Sequence, residues 1–467
     1  MHAPVSPTRA QTTAGLSWFA IIRIGLVQAS IGALVMMATT VLNRLMVVEY
    51  GLLAAIPAGL VSWHYAIQLG RPIWGHGSDK GSNRTRWIVG GIAVLAAGTL
   101  MATKATLMMA SPGIWVFAFA IFAYTVIGVG VGAAGTSALA MLASSVAPAR
   151  RAAAAAVTWI MMIAGIVASA FAVGAAIDPF TPQVLMQTAM VLGAVTITVS
   201  VLATFRLERE RHVFEETAKA GEAPDFRSAL REIMAEPAAR RFTIFIFVSM
   251  MAYNMQDLIL EPFGGQIFGM APGATTKLGG MLNAGGLVGM IVAGIGGSAF
   301  QVRAGRQSDL RVWIVSGCLG SALSLGGLVF AASAGPGWPL ELNVLVLGFF
   351  NGMFAVAAIG AMMGLAGAGE KTREGVRMGV WGAAQAVAFG FAGLLGAAGR
   401  DVALLLLGDQ GRAYQSVFAV EGLFFVLAAY LALKISAPRP RDEAQGQPPA
   451  PSNAPRNFTK NDEEMFA

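Results

Sequence analysis

Twelve runs of mostly apolar residues follow one another along this 467-residue chain, each near the ~20 residues an α-helix needs to cross the hydrocarbon core of a bilayer. They lie at roughly 20–43, 52–71, 87–109, 114–141, 153–177, 184–205, 242–263, 278–300, 312–334, 341–366, 379–398 and 414–434. No soluble domain of this length has room to bury so many. Only 12% of the residues are charged against 56% hydrophobic, far from the usual soluble balance. In lipid every backbone N–H and C=O must bond within its own segment, so the runs predict helices and an all-α integral membrane protein. Residues Met1–Ser17 are polar and the first run is too long for a cleaved leader, so the first span is expected to insert uncleaved. The lone Cys318 excludes an intramolecular disulfide and sits where plain packing explains it.

Charge tests the count. Of 32 Lys and Arg residues, 27 fall in the N-terminal segment, in alternate connections and in the C-terminal tail; the opposite side keeps Arg44, Lys104, Lys277, Arg400 and Arg412. The positive-inside rule then places both termini in the cytoplasm. The net charge of +7 is thereby accounted for by topology, without nucleic acid as a partner. The longest internal polar segment divides the spans six and six, the layout of the major facilitator superfamily. The expected organisation is an N-terminal tail (1–19), a first six-helix half (20–205), a cytoplasmic linker (206–241), a second half (242–434) and a disordered tail (435–467). Within the linker Phe226, Leu230, Ile233 and Met234 recur at helical spacing, which predicts a short amphipathic helix on the inner membrane surface, a solvated linker being the alternative.

One span carries chemistry. Asn254, Asp257 and Glu261 stand at i, i+3 and i+7 in the seventh run, so a continuous helix puts them on one face. Carboxyl groups at that depth are costly and normally face a cavity or a partner helix. Gln256 lies beside them, and Asn43, Arg44 and Glu49 close the first run. His64, between Trp63 and Tyr65, is the only histidine inside a run. The glycines of Gly128-x-Gly130-x-Gly132, Gly285-x-x-x-Gly289 and Gly375-x-x-x-Gly379 predict close helix packing, with room for a flat ligand as the other use.

The connection Gly75-His76-Gly77-Ser78-Asp79-Lys80-Gly81-Ser82-Asn83-Arg84-Thr85-Arg86 resembles the loop signature of the facilitator superfamily, with its second glycine one place early. Asp79 with Lys80, Arg84 and Arg86 is expected to fasten a cytoplasmic gate; a positive loop that only sets topology is the alternative. Leu42-Asn43-Arg44-Leu45-Met46-Val47-Val48-Glu49 and Gln256-Asp257-Leu258-Ile259-Leu260-Glu261-Pro262-Phe263-Gly264-Gly265 together resemble the PucC/LhaA family, the bacteriochlorophyll-delivery branch of that superfamily. The wording around His64 and Trp74 is nearer to members associated with bacteriochlorophyll synthesis.

The resemblance implies a twelve-helix facilitator fold in the inner or intracytoplasmic membrane of a phototroph. It further implies bacteriochlorophyll or a late precursor as bound ligand, and light-harvesting or reaction-centre apoproteins or bacteriochlorophyll synthase as partners. In that fold spans one and seven border the central cavity. Similar helical depth then leads us to expect Arg44 to pair with Glu261 or Asp257, unless Arg44 and Glu49 merely meet headgroups and water. His64 is a candidate ligand of the chlorin magnesium, with packing as its plainer role; Asn43, Gln256 and Glu261 offer the oxygen that magnesium prefers. No protein-bound metal is expected. The competing function is a proton-coupled transporter of a small solute using Asp257 and Glu261. An enzyme finds little support, since no paired-histidine metal motif, nucleophile with base, or phosphate-cradling loop appears.

Overall fold

The structure, a computed structural model, describes residues 15–70, 84–147, 150–210, 235, 237–304, 310–367 and 374–434. In chain order the helices are α1 (Trp18–Val48), α2 (Ala55–Ile67), α3 (Arg84–Met108), α4 (Ile114–Ser145), α5 (Arg151–Ala176), α6 (Pro182–Thr204), α7 (Pro237–Met255), α8 (Leu260–Phe268), α9 (Pro272–Ala304), α10 (Leu310–Ala334), α11 (Leu340–Gly367), α12 (Glu374–Leu407) and α13 (Gln410–Lys434). Among the described residues, ten helices are long and apolar enough to span a membrane. An eleventh span is the pair Arg240–Leu258 and Leu260–Phe268, bent by 41°. The remaining expected span is α2, too short alone and extended by the 3₁₀ turn Gln68–Gly70. The proposed amphipathic linker helix, residues 1–14 of the N-terminal tail, the C-terminal tail, and Gly75, Asp79 and Lys80 of the gating loop lie outside the described residues.

Local chemistry sets the ends. Ser17 caps α1 by accepting from the Ala20 N–H at 3.2 Å, and Thr181 accepts from Val184 N–H at 3.1 Å ahead of Pro182. Gly269, at φ +64°, ends α8 in a left-handed turn that only glycine adopts without penalty. At the end rich in cations, arginines take up backbone carbonyls at or near helix ends. Arg23 donates to Ala203 O at 2.8 Å, Arg84 to Ala140 O at 2.6 Å, and Arg150 to Leu16 O at 3.0 Å.

Packing relies on missing side chains. A Cβ on Gly289 would stand 2.9 Å from Met353 N, and one on Gly130 would stand 2.5 Å from Leu95 N. The close-packing expectation therefore holds for α9 against α11 and for α4 against α3. Gly375 and Gly379 fall outside the described side-chain packing. The two halves meet along α5 with α9 and along α2 with α12, and the space between those seams holds the site.

Candidate functional site

Proline explains the break in the seventh span. Pro262 has no N–H for the carbonyl of Leu258, four residues earlier, and its ring crowds that carbonyl. The chain responds with a 3₁₀ turn, Gln256–Leu258, and restarts as α8. Asn43, 1% exposed, donates through Nδ2 to the orphaned Leu258 carbonyl at 2.8 Å. The two stretches that carried the family resemblance are thus joined by one hydrogen bond. Glycines of α12 make room for the break: a Cβ on Gly396 would sit 2.5 Å from Met255 O, and one on Gly393 2.6 Å from Leu258 Cδ1.

The first span is irregular at the same level. Met37–Val41 form a π-helical turn within α1, a device that recurs at functional sites. Thr39 and Thr40 donate to Val35 O at 2.9 Å and Met36 O at 2.5 Å, and Tyr124 Oη donates to Ala38 O at 2.8 Å.

Between these two irregular segments lies a cavity of about 160 Å³ that opens through a mouth. Asn254, Asp257 and Glu261 all line it, despite the break, together with Thr39, Thr40, Ser62, Tyr65, Gly279, Asn283 and Phe389. Glu261 is 2% exposed, and neither of its carboxyl oxygens has a hydrogen-bond partner among the described residues. Gly279 gives it space, since a Cβ there would stand 2.6 Å from Oε1. Gln256 turns away into a smaller chamber shared with Asp257, Asn283 and Asn351.

Two expectations are corrected. Arg44 does not pair with Glu261 or Asp257: its guanidinium forms an ion pair with Glu49 and donates to Met270 O at 2.8 Å. Glu49 is five residues further along the same chain and reaches back at little entropic cost, so the terminal nitrogens of Arg44, 2% exposed, are taken up by Glu49 and Met270. His64 is fully buried and does not appear on the cavity wall, which takes Val61, Ser62 and Tyr65 from α2. Its Nδ1 is within hydrogen-bonding reach of the Val61 carbonyl, and its ring centroid lies 4.1 Å from that of Tyr65. As a magnesium ligand it has no face on the cavity; it packs α2 where Gly128 of α4 comes close. Of the gating residues, Arg84 ties α3 to α4 through Ala140 O and Ser144 Oγ, whereas Arg86 borders a surface groove with Arg206 and Glu208.

Sequence reasoning passed over two features. Glu421 of α13 is completely buried, close to the Gln256 backbone, and interacts electrostatically with Asp257. A lone Glu in an apolar run was the available signal. The second is a network at the Arg44 end: Arg400 binds Asp401 at 2.9 Å and Gln266 Oε1 at 2.6 Å, Tyr414 donates to Gln266 at 2.7 Å, and Ala55 N–H donates to Asp401 at 2.8 Å. It fastens the start of α2 to α12, and with the Asn43 and Arg44 contacts it closes that end of the bundle.

The comparisons with known proteins agree with this architecture. The chain is 48% identical, over 91% of its length and 97% of the relative's, to the "Bacteriochlorophyll synthase 44.5 kDa chain" of Rhodobacter capsulatus. It is 28% identical to "Protein PucC" of the same species, over 89% and 92% of the two chains. Its fold matches a solved bacterial homologue of the lysosomal transporter Spinster with a TM-score of 0.65, at 15% identity and coverage of 90% and 98%, which establishes the all-α facilitator fold. The model of the PUCC protein family matches residues 41–439, and this multi-pass membrane protein belongs to that family.

Proposed function

We propose that the protein is a non-enzymatic membrane carrier or assembly factor. It holds bacteriochlorophyll or a late precursor in the cavity between its halves and passes it to light-harvesting or reaction-centre apoproteins, or exchanges it with bacteriochlorophyll synthase. The observation that carries the reading is Glu261: a buried carboxyl with two unpartnered oxygens on the wall of a mostly apolar cavity. Oxygen donors suit magnesium, and the aromatic rings of Tyr65 and Phe389 on the same wall offer faces to a planar macrocycle. The pigment named in the 48% identical relative supports the same choice. The charge asymmetry supports an inner or intracytoplasmic bacterial membrane with both termini cytoplasmic.

The test is transfer. Protein purified from a pigment-making host is mixed with pigment-free light-harvesting polypeptides, and the red-shifted absorption of the assembled complex is followed. Faster assembly than with free pigment in the same detergent supports delivery; no difference removes it. A second reading, a proton-coupled transporter of a small solute, is favoured by the pair of acidic side chains, Asp257 and Glu261, on one cavity wall. It predicts solute-driven alkalinisation outside proteoliposomes in the absence of any pigment.

A further inference from the structure

The cavity and the smaller chamber behind it are lined by Asp257 and Glu261 and by no Lys, Arg or His side chain among the described residues. Glu421 adds a third acidic group behind Asp257. Arg44, the cation that acts on Glu261 through space, is held by Glu49 and the Met270 carbonyl. Each wall amide gives one N–H to its own helix, Asn254 to Met250 O at 3.2 Å and Asn283 to Gly279 O at 3.0 Å, and neither carries a charge. Whether or not the acids carry protons, a carboxylate entering from water finds no positive partner among the described residues of the wall. Burying an anion in that situation costs several kcal/mol, and neighbouring negative charge in a low dielectric adds to the cost.

We propose that this site selects uncharged ligands against anionic ones, so that of a chlorin pigment it takes the ester, whose propionate is masked, and rejects the free acid. The selection works by a repulsive element built into the wall rather than by an added contact. In a reaction sequence the protein then stands after the step that esterifies the propionate with an alcohol, and not before it. The inference rests on the pigment reading given above.

A matched pair of probes isolates the charge: one magnesium chlorin as its methyl ester and the same chlorin as its free acid. Each is titrated into full-length purified protein in detergent, with protein-free micelles as reference, and followed by tryptophan quenching and the chlorin absorption shift. The ester is expected to bind at least tenfold more tightly. In Asn254→Lys, which places a cation on the wall, the ratio of free-acid to ester affinity is expected to rise at least tenfold; monodispersity on size exclusion checks the fold. Equal or tighter binding of the free acid by the wild type overturns the selectivity while leaving pigment carriage standing. Binding of neither probe overturns pigment carriage and the selectivity with it.

Discussion

The hydrogen bond from Asn43 to the Leu258 carbonyl exists because Pro262 cannot supply one, and that dependence is measurable. Asn43→Ala leaves a buried carbonyl without a donor, since both Asn43 and Leu258 are almost wholly excluded from the surface and the bond is short at 2.8 Å. Stranding such a group costs about 1–3 kcal/mol, whereas polar contacts between membrane helices average about 0.6 kcal/mol when both states find partners. A loss of about 1–2 kcal/mol is therefore expected for Asn43→Ala. In a Pro262→Ala background residue 262 regains its N–H and can close the helical bond to Leu258. There the same Asn43→Ala change should cost under about 0.5 kcal/mol, a coupling outside the error of additivity for independent sites. Reversible unfolding in mixed micelles, read by tryptophan fluorescence on the two singles and the double, gives the cycle. Equal losses in both backgrounds would refute the account of the break.

Glycine packing predicts opposite signs at two positions. Gly289→Ala drives a Cβ into the α11 backbone and should destabilise by about 1–3 kcal/mol, while Gly326→Ala, with open space around it, should stabilise α10 by a few tenths to about 1 kcal/mol; thermal midpoints in detergent separate them. Arg44→Glu should lower the midpoint, with Glu49→Arg recovering part of the loss and Glu261→Arg recovering none, because the ion pair is with Glu49. Asp401→Ala releases the Ala55 N–H and the Arg400 network, and should increase modification of a cysteine placed at Asn254 by a reagent added from the Arg44 side; unchanged labelling would mean the network does not hold that end closed.

Much of this architecture is visible in the chain because lipid leaves so few options. Each expected run from α3 to α6 and from α9 to α13 falls on one observed helix, most ends agreeing to within about four residues while α9 starts six residues earlier and α12 runs nine residues further, since an apolar run of spanning length has no alternative to a helix. Asp257 and Glu261 also reached the cavity as expected, though by a route that period-3.6 spacing did not describe. Pro262 was in plain view, but its consequence depended on Asn43, more than two hundred residues away, being there to accept the break. Arg44 shows the opposite limit. Depth along a helix says which residues share a level and nothing about a nearer partner in sequence, and Glu49 won on proximity. The π-helical turn at Met37–Val41 has no sequence signature, because it is stabilised from outside by Tyr124. Glu421 and the Arg400–Asp401 pair were legible as charges in apolar runs, but their partners are set by tertiary packing.

The most direct measurement is the near-infrared absorption spectrum of tagged protein purified in mild detergent from a phototrophic host, beside Glu261→Ala and His64→Ala. The account predicts stoichiometric bacteriochlorophyll in the wild type, loss of pigment with an intact fold in Glu261→Ala, and retention in His64→Ala, whose ring lies off the cavity. A wild-type protein free of pigment, or a Glu261→Ala protein as fully loaded as the wild type, would contradict it.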